Sequence, residues 1–168
     1  MFRKLIYIIT ISLLTTQCFA LSPTVPLQVW TNEAIVNLYD FNANNWLARQ
    51  KDMGQYFTAD AWLLYQAALK KTQLLKQVTD NQFVVSAVST APPEVKSINA
   101  TTWSAKMPIL VQFKNQNGVQ VQNFEVNLKI IKVNEGGLRG YAIQQYESKV
   151  LTELCACTQP YQPKVSIA

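Results

Sequence analysis

The sequence predicts an α+β domain: N-terminal helices packed on one face of a curved antiparallel sheet of about four strands. Three observations carry this. Apolar residues recur at helical spacing through residues 31–78, whereas after Asn81 the chain turns to β-branched runs divided by Pro and Gly signals. The composition, 49% hydrophobic, 15% charged and 11% aromatic over 168 residues, is that of one globular unit.

The elements follow in order. Pro23 and Pro26 make residues 21–29 an extended tether. From Thr31, read as an N-cap, Ala34, Ile35, Leu38 and Tyr39 and then Trp46 and Leu47 form a stripe. The Asn-rich stretch Asp40 to Asn45 interrupts it, and the second helical piece runs to about Gly54. Thr58 caps a helix over Ala59 to Lys71, with Asp60 in its first turn and Phe57 placed to meet Trp62 across the start. A shorter helical turn spans Gln73 to Val78.

Phe83 to Ser89 reads as a strand closed by Ala91-Pro92-Pro93. Thr101 to Phe113 is a second, with Met107, Ile109, Val111 and Phe113 on one face and Pro108 marking an edge or a bulge. Asn117-Gly118 supplies the hairpin turn. In the next strand Val119 and Val121 are apolar at odd positions but Phe124, Val126, Leu128 and Ile130 at even ones, which predicts a bulge near Gln122-Asn123. Gly136-Gly137 then turns the chain into the last strand, Tyr141 to Tyr146. Helices capping a bent sheet make a cone of the cystatin-like or nuclear-transport-factor-like kind, an architecture that hosts enzymes and non-catalytic subunits alike.

Residues 1–20 have the three parts of a secretory leader: Arg3 and Lys4, an apolar run from Leu5 to Leu14, and a polar end with small residues at Cys18 and Ala20. The apolar run is about half the length that a spanning helix needs. Cleavage between Ala20 and Leu21 is favoured over a lipidated Cys18 or an uncleaved anchor, so the mature domain is exported. With Arg3 and Lys4 removed, 13 basic residues stand against 10 acidic ones, a balance of +3 and too scattered for a nucleic-acid surface. The sequence has no His, so imidazole bases, Ser-His or Cys-His nucleophiles and histidine metal ligands are excluded. Residues 30–150 form the domain, and 151–168 a flexible tail with Cys155 and Cys157. That pair is a candidate disulfide in an oxidising compartment, although an i,i+2 ring is strained; redox exchange and Cu(I) binding are the alternatives to a pair without chemistry.

Tyr56-Phe57-Thr58 followed by Trp62, Tyr65 and Ala68-Leu69 resembles the aromatic block of the DotI/IcmL/TraM family of type IVB secretion and conjugation proteins. Val85 to Val88 is similar to that family's first strand, Lys106-Met107-Pro108-Ile109-Leu110-Val111 to its Met-Pro strand, and Gly140 to Tyr146, through Gln144, to its last. The blocks keep their order over roughly residues 30–148. The resemblance implies a periplasmic cone similar to the VirB-type inner-membrane assembly subunits. With an export leader directly ahead of the domain, it implies a free exported paralogue.

Among the acids, Asp40 beside Tyr39 is the one placed to act as a Tyr-Asp pair in an apolar pocket, whereas Asp60 is explained by its helix start. Trp30, Trp46, Trp62 and Trp103 read as core before pocket lining. No catalytic, cofactor-binding or metal residue is assigned, and no cofactor. The expected function is a non-catalytic periplasmic interaction and assembly module. Its partners are envelope proteins, a type IVB secretion complex or a second copy among them; nucleic acid and a stable membrane span are not expected. The alternative is a small-ligand binder or a cone-fold enzyme. The interaction surface is expected on the outer helices and on an exposed sheet edge located by Pro108.

Overall fold

The computed structural model describes residues 24–151. Helix α1 (Thr24–Leu38) leads through the two-residue strand β1 (Phe41–Asn42) to α2 (Trp46–Gly54), α3 (Ala59–Lys71) and α4 (Leu74–Asp80). Strands β2 (Val84–Ser89), β3 (Glu94–Asn99), β4 (Thr102–Asn115), β5 (Gly118–Lys132) and β6 (Tyr141–Val150) complete an antiparallel sheet of order β1-β2-β4-β5-β6, with β3 also on β4. The four long strands expected from sequence are present, and β1 and β3 add to them.

The tether is not extended over residues 24–29: α1 begins two turns before Thr31. Pro26 lies in the first turn, where a missing N–H breaks no helical bond. Leu27, Trp30, Ala34, Ile35 and Leu38 then form one buried stripe. Thr31, rather than capping, is buried mid-helix, and its hydroxyl donates to the Leu27 carbonyl at 2.7 Å. The break at 40–45 holds, with the Asn42 and Asn45 side chains closing the turn onto backbone N–H groups. Thr58 caps α3, its Oγ1 accepting from Ala61 N–H at 3.3 Å, and the Phe57 and Trp62 rings meet at 5.5 Å.

Pro108 does not mark the outer edge of the sheet. β4 is internal, flanked by β5 along its whole length and by β2 and β3 in succession on its other side. β2 pairs with residues 109–114 and β3 with residues 102–106, so the two are halves of one broken strand. The break at Ala91-Pro92-Pro93 faces Pro108, where no donor is missed, and Thr90 N–H bonds the Pro108 carbonyl at 3.1 Å.

The bulge expected at Gln122-Asn123 is also absent. β4 and β5 stay in unbroken register from Asn115↔Gly118 to Thr102↔Ile131. Alternation from Val126, Leu128 and Ile130, which are buried, puts Gln120 and Gln122 on the helix side and Val119 and Val121 on the convex face, where both valines are exposed; Val121 also borders the cleft. The sheet's irregularity lies in β6: Lys129 pairs with Gln145 but Ile130 with Ile143, so Gln144 is the extra residue. Ile143 and Tyr146 thereby both face the helices. Gly136 and Gly137 turn the β5–β6 connection, both with φ +70. Core packing joins α1, α3 and the concave face of the sheet around Met53, Met107, Ile109, Ile130 and Ile143.

Candidate functional site: an uncharged aromatic cleft

The concave face is only partly covered. Near the β4–β5 hairpin the helices splay from the sheet and leave a cleft of about 530 Å³. The end of α1 contributes Leu38 and Tyr39, α3 contributes Tyr65 and Leu69, and α4 contributes Leu74, Gln77 and Val78. The sheet supplies Phe113, Gln120, Gln122, Phe124, Tyr146 and Ser148. No Asp, Glu, Lys or Arg lines it.

Three phenols dominate its inner wall. The hydroxyls of Tyr39 and Tyr146 lie 2.6 Å apart in a hydrogen bond, and the Tyr65 ring meets the Tyr146 ring edge-on at 5.0 Å. Burial holds the Tyr39 phenol above its ordinary pKa of 10.0, against the opposing effect of its bonds to Tyr146 and Ser148. Burial raises Tyr65 further, and raises Tyr146 well above the usual value, with the neighbouring phenols adding to both. All three stay protonated through the neutral range. Protonated phenols offer hydrogen bonds, as Tyr39 and Tyr146 do to each other, and do not act as bases. Chemically, the cleft offers apolar and aromatic contact, with amide and hydroxyl groups of Gln77, Gln120, Gln122 and Ser148 for orientation.

Asp40 takes no part in it. Although Tyr39 points into the cleft, the Asp40 carboxylate turns outward to Arg49 at 3.4 Å and is largely exposed. Glu33 pairs with Arg139 at 2.8 Å and accepts from the Tyr56 hydroxyl at 3.3 Å, and Asp52 pairs with Arg49 at 3.3 Å. The four tryptophans lie outside the cleft lining. Trp30 is buried and donates from Nε1 to the Leu138 carbonyl at 2.8 Å; Trp46, Trp62 and Trp103 pack against the core. Among the described residues, no three His, Cys, Asp or Glu side chains converge on a metal position. Ala20, Leu21, Cys155 and Cys157 lie outside the described residues.

The motif residues build the scaffold that frames the cleft. Tyr56 and Phe57 are buried, and the segment docks on β6 beside its bulge: Ile143 N–H bonds the Tyr56 carbonyl at 2.7 Å, and Thr58 N–H bonds the Ile143 carbonyl at 3.0 Å. Trp62 stacks on Tyr65 at 5.6 Å and sits against Gly54. Met107 is in the core, Pro108 at the strand break, and Gln144 is the bulged residue. Sequence reading missed Tyr65, Tyr146, Gln120 and Gln122 as site residues. The available signal was the even parity that Gln120 and Gln122 share with Phe124, which places them on the inner face.

The family model for the type IVB secretion system inner-membrane complex component, DotI/IcmL, matches residues 16–149. An IcmL-like type IV secretion system protein from Legionella pneumophila is similar over 81% of this chain and 99% of its own, with 36% identity and a TM-score of 0.77. The periplasmic domain of DotI is similar over 77% of this chain and 96% of its own, with 28% identity and a TM-score of 0.69. A nuclear transport factor 2-like protein from Salmonella enterica shares the fold at 10% identity and a TM-score of 0.54, covering 80% of this chain and 98% of its own. Comparison with curated proteins gives no match.

Proposed function

The chain belongs to the DotI/IcmL family of type IVB secretion proteins, and from that premise we propose that it is a non-catalytic assembly module that acts by binding protein in the periplasm. The observation that carries this reading is the match to the DotI periplasmic domain over nearly its whole length. The family motifs support it too, since here they build the scaffold instead of converging on a reactive group. Among the described residues no helix is long and apolar enough to cross a membrane. On this reading the leader exports the domain, the mature chain starts at Leu21, and mass spectrometry of the exported protein checks it.

Partner contacts use the outer helical surface, where Leu47 is 83% exposed and Leu63 and Leu64 also face solvent. The test is photo-crosslinking from position 47 in cells that carry a type IVB system. Crosslinks to inner-membrane components, kept in Asp40→Ala and lost when Leu63 becomes Glu with the melting temperature unchanged, are expected. Failure to crosslink any component, or a turnover abolished by Asp40→Ala, would overturn the proposal.

The cleft favours one second reading, a binder of small uncharged ligands. An apolar dye whose binding is lost in Tyr65→Glu, alongside silent crosslinking, would favour that alternative.

A further inference from the structure

Beside the cleft, β5 continues past Leu151, the last described residue on its outer side. The β5–β6 ladder ends at Phe124↔Val150, after which Leu151 N–H bonds the Asn123 carbonyl at 2.9 Å. Among the described residues nothing pairs with the outer side of residues 118–122. In an antiparallel strand the backbone groups of alternate residues point to the same side. Because the Asn123 carbonyl points away from β4, the N–H and C=O groups of Val121 and Val119 do so as well, on a side that no described residue pairs.

This edge lacks the usual protections against strand pairing. Its sequence, Gly118-Val119-Gln120-Val121-Gln122, carries no charge and no Pro, whereas β3 presents Glu94 and Lys96 and β6 presents Glu147 and Lys149. Val119 and Val121 are 51% and 52% exposed on one face. The segment is bounded by the hairpin turn at one end and Leu151 at the other, which centres it on Gln120.

We propose that residues 118–122 pair antiparallel with the same segment of a second copy of this chain, about a twofold axis at Gln120. That register sets Val119 opposite Val121 of the other copy, twice, on the convex face. It joins their outward N–H and C=O groups in four hydrogen bonds, and leaves Gln120 facing Gln120 on the concave side. Gly118 then faces Gln122, and the pairing stops where Leu151 begins, so the pattern is complementary to itself. Extending the sequence beyond Leu151 in the β6 register would set Glu153 opposite Val121, a charge against the valine face, and the concentration dependence below separates that same-chain occupant from a second copy. The proposal stands independently of the assembly role.

Sedimentation of the full mature chain over a wide concentration range tests it, with hydrogen exchange at Val119 and Val121. A monomer–dimer equilibrium is expected, with protection of both amides growing with concentration. Val119→Lys with Val121→Lys sets like charges opposite one another and should weaken the dimer about tenfold or more, whereas Val119→Glu with Val121→Lys pairs opposite charges across the axis and should recover most of that loss. Val121→Pro removes an edge donor without touching the β4 ladder and should weaken the dimer while the melting temperature holds. A monomer throughout, a dimer indifferent to these variants, or amide protection independent of concentration, as a segment of the same chain on the edge would give, each overturns it.

Discussion

The Tyr39–Tyr146 hydrogen bond gives a quantitative test of the cleft. Tyr146→Phe removes one hydroxyl of the 2.6 Å pair and keeps the ring that contacts Tyr65 and Phe57. Tyr39→Phe likewise keeps the ring against Phe124. Packing is thus nearly conserved, and the loss falls on the hydroxyl left behind. An unsatisfied buried hydroxyl costs about 1–3 kcal/mol, but Ser148 is within reach of both phenols, so each single variant should lose about 1–1.5 kcal/mol. Removing both hydroxyls strands neither, so the double variant should lose no more than a single one, a coupling of about 1 kcal/mol. Urea unfolding followed by tryptophan fluorescence, with the denaturant slope unchanged, measures all three losses. Losses that simply add would show that the two hydroxyls are satisfied separately and that the inner wall is not the linked pair described above.

The same phenols set an alkaline limit. Since burial raises the folded pKa of Tyr39, Tyr65 and Tyr146 above 10.0, the folded state holds these protons more tightly; their stabilisation is full below about pH 10 and is lost as pH rises beyond it. Phenolate absorbance should therefore show the three ionising together with unfolding, and a smooth titration in the folded state would contradict this. Thr58→Ala removes the α3 cap but not the backbone bond to Ile143, and should cost about 1 kcal/mol in chemical unfolding, with Thr58→Ser recovering most of it. Gly136→Ala meets only the strain of φ +70, about 1–2 kcal/mol. Gly137→Ala adds a Cβ 2.5 Å from the Tyr141 carbonyl oxygen, so it should melt several degrees lower than Gly136→Ala; equal melting temperatures would refute that geometry.

The helical half was legible in sequence wherever a cap and a stripe agreed. Thr58, Asp60 and the apolar series through Leu69 bound α3 at the residues observed. Where punctuation and stripe disagreed, the punctuation misled: Pro23 and Pro26 hid the first two turns of α1, although Leu27 and Trp30 continue the spacing of Ala34 and Leu38. A proline in a first turn breaks nothing, so the stripe was the stronger signal. β3 left no stripe to find. Nearly all its residues are exposed, so no apolar alternation marks it, and it forms because β4 offers a free ladder below Pro108.

The cleft was hidden by an assumption about which residues face inward. A change of apolar parity in β5 was read as an inserted residue, on the premise that valines face the helices. The premise fails because the helices do not cover that end of the sheet: the inner face is wetted by the cleft and takes Gln120 and Gln122, and the outer face takes Val119 and Val121. The parity rule itself holds one strand away. Ile143 and Tyr146 are three residues apart yet both face inward, which an unbroken strand forbids, and Gln144 is the insertion that permits it. That bulge has two effects. It turns the Ile143 backbone groups out to bond Tyr56 and Thr58, fixing the start of α3, and it brings Tyr146 round to Tyr39 and Tyr65. One extra residue in β6 thus sets both the docking of the Tyr56-Phe57-Thr58 aromatic block and the inner wall of the cleft. A single parity shift in sequence marks either such an insertion or an uncovered face, and only the positions of the helices tell the two apart.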